Sequence, residues 1–136
     1  MLKAGLKALI SSAIVGMAAV AVYPAATLAD PDSLEGSWSG GGSVSFASGS
    51  KERAKCRASF SRSSATSYRV NGTCATQSGK VTQNSEVFKT TANRYRGNFH
   101  NPEFDISGTI AIVVNGRSMT ATLTTSNGTG VINLRH

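Results

Sequence analysis

The sequence predicts an all-β fold, namely an eight-stranded antiparallel up-and-down barrel held by one disulfide. Two observations predict it. Apolar and polar residues alternate with a period of two after residue 29, and short turn sequences separate the alternating stretches, none of which has a helical repeat. Residues 30–136 suffice for a single domain. Closing the sheet into a barrel removes its unpaired edges, and a two-sheet sandwich is the alternative architecture.

Eight strands follow from this alternation. In the first, Trp38, Val44 and Phe46 alternate with serine and glycine, whereas in the fourth, between Val81 and Phe88, the alternation is weaker. The predicted strands lie near residues 36–47, 52–61, 67–76, 80–89, 94–100, 104–114, 117–125 and 130–135.

Turn sequences give the expected register of three hairpins. Asn115-Gly116 and Asn127-Gly128 are typical of two-residue hairpin turns, and Asn101-Pro102 marks a third turn. Several pairs across these hairpins then join two apolar residues on one face, which supports the arrangement. The predicted pairs are Phe99 with Ile106, Ile112 with Met119, and Leu123 with Ile132.

The inward face of the predicted barrel combines small and large residues. Several glycines and alanines share this face with a few large side chains, which predicts a narrow barrel filled by its own residues. Gln83 and Ser85 have the parity of the neighbouring valines, so a cavity in the lumen is the alternative. The residues expected to line such a lumen are Tyr68, Gln83, Ser85 and Tyr95.

Residues 1–29 have the pattern of a cleaved export signal. Lys3 and Lys7 provide a positive start, residues 8–22 form an uncharged and mostly apolar run, and small residues precede the expected cleavage after Ala29. The run is short for a membrane span, and an uncleaved anchor helix is the alternative. We therefore predict bacterial export by the general secretory route, to the periplasm or out of the cell.

Cys56 and Cys74 are the only cysteines, and both fall on apolar faces of neighbouring predicted strands. Export places them in an oxidising compartment, so we expect a disulfide between them. Pairing them also sets Phe60 opposite Val70. A redox or metal thiol pair would need a C-x-x-C spacing or further ligands, and the sequence has neither.

Leu34, Gly36 and Trp38 open the first strand and resemble the Gly-x-Trp start of calycin barrels such as lipocalins and avidins. Arg135 is similar to the basic residue that those families pack across this tryptophan. Together with the cysteine pair, the signature looks like the small periplasmic inhibitors of serralysin-type metalloproteases, which are eight-stranded barrels with one disulfide. The resemblance implies a partner-binding arm, here shorter than in those inhibitors, at Asp30, Pro31, Asp32 and Ser33.

The residue types argue against an enzyme. A Ser-His-acid arrangement needs a histidine base, and residues 30–136 contain only His100 and His136. The run Gly40–Gly42 lies in a strand pattern with no helix after it, so it is not a nucleotide-binding motif. Glu103 and Asp105 lie near His100 but lack a second histidine for a metal site. We expect no catalytic residue, no cofactor and no bound metal.

Part of the net charge of +7 forms a basic stripe on outward-facing strand positions. Such a stripe attracts an acidic protein, an anionic polysaccharide or the phospholipid headgroups of an anionic envelope surface, and it also keeps a sheet face solvated. Nucleic acid is disfavoured because no aromatic residues are interleaved with these charges. The stripe consists of Lys51, Arg53, Lys55, Arg57 and Arg69.

The sequence therefore predicts an exported, monomeric protein that acts by binding rather than by catalysis. The first hypothesis is a protease-inhibitor-like module that contacts a protein partner through residues 30–33. The alternatives are a carrier of a small ligand in the barrel lumen and an envelope-associated structural protein that uses the basic stripe.

Overall fold

The computed structural model describes residues 33–136. The predicted signal segment 1–29 and three residues of the predicted arm, Asp30, Pro31 and Asp32, lie outside the described residues. Eight strands follow one another along the described chain. They are β1 (Gly36–Phe46), β2 (Lys51–Ser64), β3 (Ser67–Thr76), β4 (Gly79–Thr91), β5 (Arg94–Asn101), β6 (Ile106–Asn115), β7 (Ser118–Thr125) and β8 (Gly128–Arg135).

The strands form a closed antiparallel barrel in sequence order, which confirms the predicted architecture. Each strand pairs with the next along at least part of its length, and β1 also pairs with β8, so the sheet closes on itself. At this closure the two backbones come very close. A Cβ atom on Gly42 would lie 1.8 Å from the carbonyl oxygen of Val131, which explains why a residue without a side chain occupies this position.

The hairpin of β2 and β3 has the predicted register. Cys56 lies opposite Cys74, and Phe60 lies opposite Val70. The disulfide is formed, with the two cysteine Cα atoms 4.1 Å apart, and it joins β2 to β3 in the barrel wall. The predicted pairing of the two cysteines is therefore confirmed.

The register predicted for three later hairpins is wrong by two residues. Ile106 pairs with Asn101 instead of Phe99, Met119 with Val114 instead of Ile112, and Leu123 with Gly130 instead of Ile132. Neither Asn115 nor Asn127 takes the positive φ expected of a central turn residue; in the β6–β7 loop only Gly116 does, at 62°. A shift of two keeps every side chain on its predicted face, because strand side chains alternate with a period of two.

The inward positions carry the buried core, and the outward positions are mainly polar. The start of β1 and the β2–β3, β4–β5 and β6–β7 turns lie at one end of the barrel. The β1–β2, β3–β4, β5–β6 and β7–β8 turns lie at the opposite end. No helix within residues 33–136 is long and apolar enough to span a membrane.

Candidate functional site

The barrel end at which β1 begins is sealed by large side chains, and we call it the closed end. Leu34 is fully buried across it, and its carbonyl oxygen accepts a 2.8 Å hydrogen bond from the Trp38 indole Nε1. The Trp38 ring meets Phe60 edge-on, with centroids 6.4 Å apart. Other buried side chains from this end are Tyr68, Val87, Tyr95, Val114 and Met119.

Toward the opposite end, which we call the open end, the barrel is hollow. A cavity of about 390 Å³ occupies the lumen. An adjoining hollow of about 190 Å³ shares part of its wall and extends to the β7–β8 turn. The volume of the larger cavity, about 390 Å³, is typical of small-molecule sites in proteins. The apolar lining of the larger cavity includes Val44, Val70, Phe99, Ile110, Leu123 and Ile132.

The cavity corrects the prediction of a barrel filled by its own side chains. Gly72 lines the cavity, and a Cβ atom there would have no atom within 4 Å apart from its chain neighbours. Ala58 lies opposite Gly72 on β2, and the Cys56–Cys74 disulfide lies beside them in the same wall. Strand parity gives the direction of a side chain but not the distance across the barrel, so the small residues leave open space.

Two uncharged polar side chains of β4 line the cavity, Gln83 and Ser85. The Gln83 amide Nε2 donates hydrogen bonds to the backbone oxygens of Asn84 and His100, at 2.9 and 3.0 Å. Its Oε1 is a buried acceptor with no hydrogen-bond partner among residues 33–136. A buried acceptor without a hydrogen bond costs free energy. A ligand would therefore gain the most affinity by placing a hydrogen-bond donor at this oxygen.

Tyr68 and Tyr95, the other two predicted lumen residues, lie below the cavity at the closed end. Their rings meet edge-on with centroids 5.7 Å apart, and both side chains are buried. The Tyr68 hydroxyl accepts a 2.7 Å hydrogen bond from Arg62. These tyrosines are core residues that form the floor beneath the lumen rather than its lining.

The barrel wall is split between β4 and β5 at the open end. The two strands pair from Glu86 with Asn98 to Thr91 with Arg94, whereas residues 79–85 of β4 pair only with β3 within the described chain. The hydrogen bond from the Gln83 side chain to the His100 oxygen crosses this split. A side-chain contact therefore takes the place of the backbone ladder beside the cavity.

The rim of the open end is held by local hydrogen bonds. Phe104 lines the cavity from the β5–β6 turn, although 50% of its surface is exposed. The Asn101 Oδ1 accepts hydrogen bonds from the backbone N–H groups of Glu103 and Phe104, which orders this turn. Across the mouth, the Glu52 carboxylate accepts hydrogen bonds from the backbone N–H and hydroxyl of Ser78.

The signature residues from the calycin resemblance cluster around the closed end. The ring that stacks on Trp38 belongs to His136, with centroids 4.6 Å apart, while the neighbouring Arg135 is exposed on the outer wall. Ser33, the one described residue of the predicted arm, is half-buried, and its hydroxyl is 3.2 Å from the Tyr68 hydroxyl. Ser33 is thus attached to the barrel instead of extending from it.

The basic stripe lies on the outer wall, away from the lumen. All five of its members are exposed, and Arg69 lies apart from the others, directly opposite Glu86 on β4. Near the β5–β6 turn, the His100 Nδ1 is 2.8 Å from the Ser107 hydroxyl. In the part of the chain from 33 to 136, no three His, Cys, Asp or Glu side chains form a group that could hold a metal ion.

Comparison with two designed β-barrels of known structure supports the fold. The redesigned β-barrel mFAP1, bound to DFHBI, is 17% identical over 76% of this chain and 94% of its own, with a TM-score of 0.64. A de novo designed fluorescence-activating β-barrel is 11% identical over 75% of this chain and 92% of its own, with a TM-score of 0.57. The Schistosoma mansoni fatty acid binding protein in complex with arachidonic acid is 13% identical over 76% of this chain and 95% of its own, with a TM-score of 0.45.

No family model and no curated protein sequence matches the chain. The designed barrels share its small closed β-barrel architecture. At identities this low, the likeness concerns the fold alone. The resemblance to inhibitors of serralysin-type proteases receives no support from these comparisons.

Proposed function

We propose that this protein binds a small apolar molecule in the barrel lumen and acts as its carrier rather than as an enzyme. The observation that carries the proposal is the cavity of about 390 Å³, sealed at one end by Leu34 and Trp38 and open at the other. Most proteins of this size fill their interior to high density, so an apolar hollow of this volume needs an explanation.

The lining indicates the chemistry of the ligand. Its body is apolar, because aliphatic and aromatic side chains form most of the wall. Arg57 and Lys80 border the cavity, but both occupy outward-facing positions and are exposed, so they offer no buried partner for an anion. We therefore infer a neutral ligand with few polar groups, one of which is a hydrogen-bond donor within reach of Gln83.

Two further considerations support this proposal. The designed barrel mFAP1, which has the same architecture, holds a small organic molecule, DFHBI. The N-terminal sequence pattern, with a positive start and an apolar run before Ala29, supports export of the carrier from the cytoplasm.

The test is a binding titration with Nile red, a neutral apolar dye whose emission rises and shifts to shorter wavelength in apolar surroundings. We expect one dye molecule to bind per protein. The variant Gly72→Leu adds a side chain inside the cavity without a backbone clash, and it should weaken binding about tenfold or more.

The matched control is Ala75→Leu, which adds the same side chain to the exposed outer face of β3. It should bind the dye as the unmodified protein does. Native mass spectrometry of the protein purified from its own host then detects any retained natural ligand. Absence of dye binding, or equal binding by Gly72→Leu, would contradict the proposal.

A further inference from the structure

We propose that the outer wall of the barrel holds a second binding site, a groove for a linear acidic polysaccharide. The groove crosses β1, β2 and β3, reaches Lys80 on β4 and Arg135 on β8, and forms an open hollow of about 1090 Å³ on the outer side of the wall. It is lined by four cationic side chains and by no Asp or Glu side chain. The cations are Lys55, Arg57, Lys80 and Arg135.

The strand registers explain why this wall is both basic and concave. Lys55 and Lys80 pair with Ala75 from its two sides, so two long cations flank a methyl group. Their strands are two spacings apart, about 9–10 Å. Arg57 likewise lies between Ser39 and Thr73. Small residues between long ones create the floor and the walls of the groove.

The cations are spaced for a polymer rather than for a single anion. From Lys51 to Arg57 every second residue of β2 is cationic and exposed; Lys55 and Arg57 line the groove, and the other two continue the row along the strand beyond it. Alternate residues of a strand are about 7 Å apart, so four charges extend over about 20 Å along one line. A chain with regularly repeated negative charges can contact several of them together, which strengthens an otherwise weak surface attraction.

The neutral lining of the groove favours a carbohydrate chain. Hydroxyl and amide side chains lie between the cations and can exchange hydrogen bonds with sugar hydroxyls. These residues are Ser37, Ser39, Ser59, Asn71 and Thr73. Trp38 is buried beneath His136 and presents no free ring face for stacking a nucleic-acid base. The concave shape suits a chain better than the flat surface of a lipid bilayer.

The experiment measures binding of polygalacturonate, with neutral dextran as the reference polymer. We expect polygalacturonate to bind, dextran not to bind, and the affinity to fall as salt is added, because exposed charges are screened. The double variant Lys55→Glu/Arg57→Glu should weaken binding about tenfold or more, since each substitution replaces an attraction with a repulsion.

The matched control is Arg94→Glu/Arg96→Glu, which makes the same charge change at exposed positions of β5 outside the groove. It should bind polygalacturonate nearly as well as the unmodified protein. Cooperative unfolding in guanidinium chloride, followed by the fluorescence of Trp38, reports an intact barrel in both variants. If the groove variant does not fold, Lys55→Ala/Lys80→Ala replaces it and should weaken polysaccharide binding by a smaller factor.

Three results would overturn this proposal. The first is failure of the unmodified protein to bind polygalacturonate, and the second is an equal loss in the groove and control variants, which would indicate a response to net charge alone. The third is groove-dependent binding to vesicles that contain phosphatidylglycerol with none to polygalacturonate, which would assign the groove to an anionic membrane.

Discussion

Replacing Gly72 with leucine should raise the stability of the protein while it blocks the lumen. Gly72 does not take a positive φ, and a Cβ atom there would have no atom within 4 Å apart from its chain neighbours. Leucine can therefore adopt this backbone conformation without strain. The substitution is the reverse of the usual cavity-creating mutation, because it fills space that the folded protein leaves empty.

The expected magnitude follows from two contributions. Removing a glycine from a strand stabilises by roughly 0.5–1 kcal/mol, chiefly because the unfolded chain loses conformational freedom. Full burial of a leucine contributes about 1.5–3 kcal/mol, and we take about half of this because the cavity is open at one end. The free energy of unfolding should thus rise by about 1.3–2.5 kcal/mol, which corresponds to roughly 5–15 °C in Tm for a domain of this size.

Unfolding in guanidinium chloride, followed by tryptophan fluorescence, measures this change through the single Trp38 at the closed end. Gly42→Ala is the informative comparison, because its Cβ atom would lie 1.8 Å from the Val131 carbonyl oxygen. That smaller addition should destabilise by about 1–3 kcal/mol. A Gly72→Leu variant less stable than the unmodified protein would refute the conclusion that this part of the lumen is empty.

Three further predictions concern the rest of the barrel. Removing the disulfide with Cys56→Ala/Cys74→Ala should lower the free energy of unfolding by about 3 kcal/mol, since the bond closes a loop with a sequence separation of 18; a loss below about 1 kcal/mol in chemical denaturation would contradict it. Trp38→Phe should cost about 2–4 kcal/mol, because it leaves space at the closed end and deprives the buried Leu34 oxygen of its donor; equal midpoints of thermal unfolding would count against this role. Hydrogen exchange followed by mass spectrometry should find backbone amides of β4 between residues 80 and 85 exchanging faster than those of β2, because one side of β4 lacks a partner strand there; uniform protection along β4 would mean that the split is closed in solution.

The predictions from sequence succeed where an argument is local. Trp38, Cys56 and Cys74 were placed on the inward face by the alternation alone, and the structure has them there. The hairpin registers fail by two residues because the turn conformations at Asn115 and Asn127 depend on how the strands twist into the barrel. An even error leaves the faces unchanged, so the core was predicted correctly with the wrong partners across it.

The candidate site divides in the same way. Parity places Gln83 and Ser85 toward the lumen, and the structure has both beside the cavity. The same parity applied to Tyr68 and Tyr95 correctly predicts that they face inward. It does not give their position along the barrel axis, and both lie at the closed end, beneath the cavity. The stacking of His136 on Trp38 joins residues 98 positions apart, and no periodic pattern indicates such a contact.

The sequence by itself determined that this protein is an all-β barrel with one disulfide and a basic outer face. These properties depend on a period of two, on turn residues and on charge, all of which act over a few neighbouring positions. The tertiary structure alone decided that the lumen is open at one end, that β4 separates from β5, and that the cations surround a groove. Each of these depends on the diameter, tilt and closure of the whole barrel, to which all eight strands contribute together.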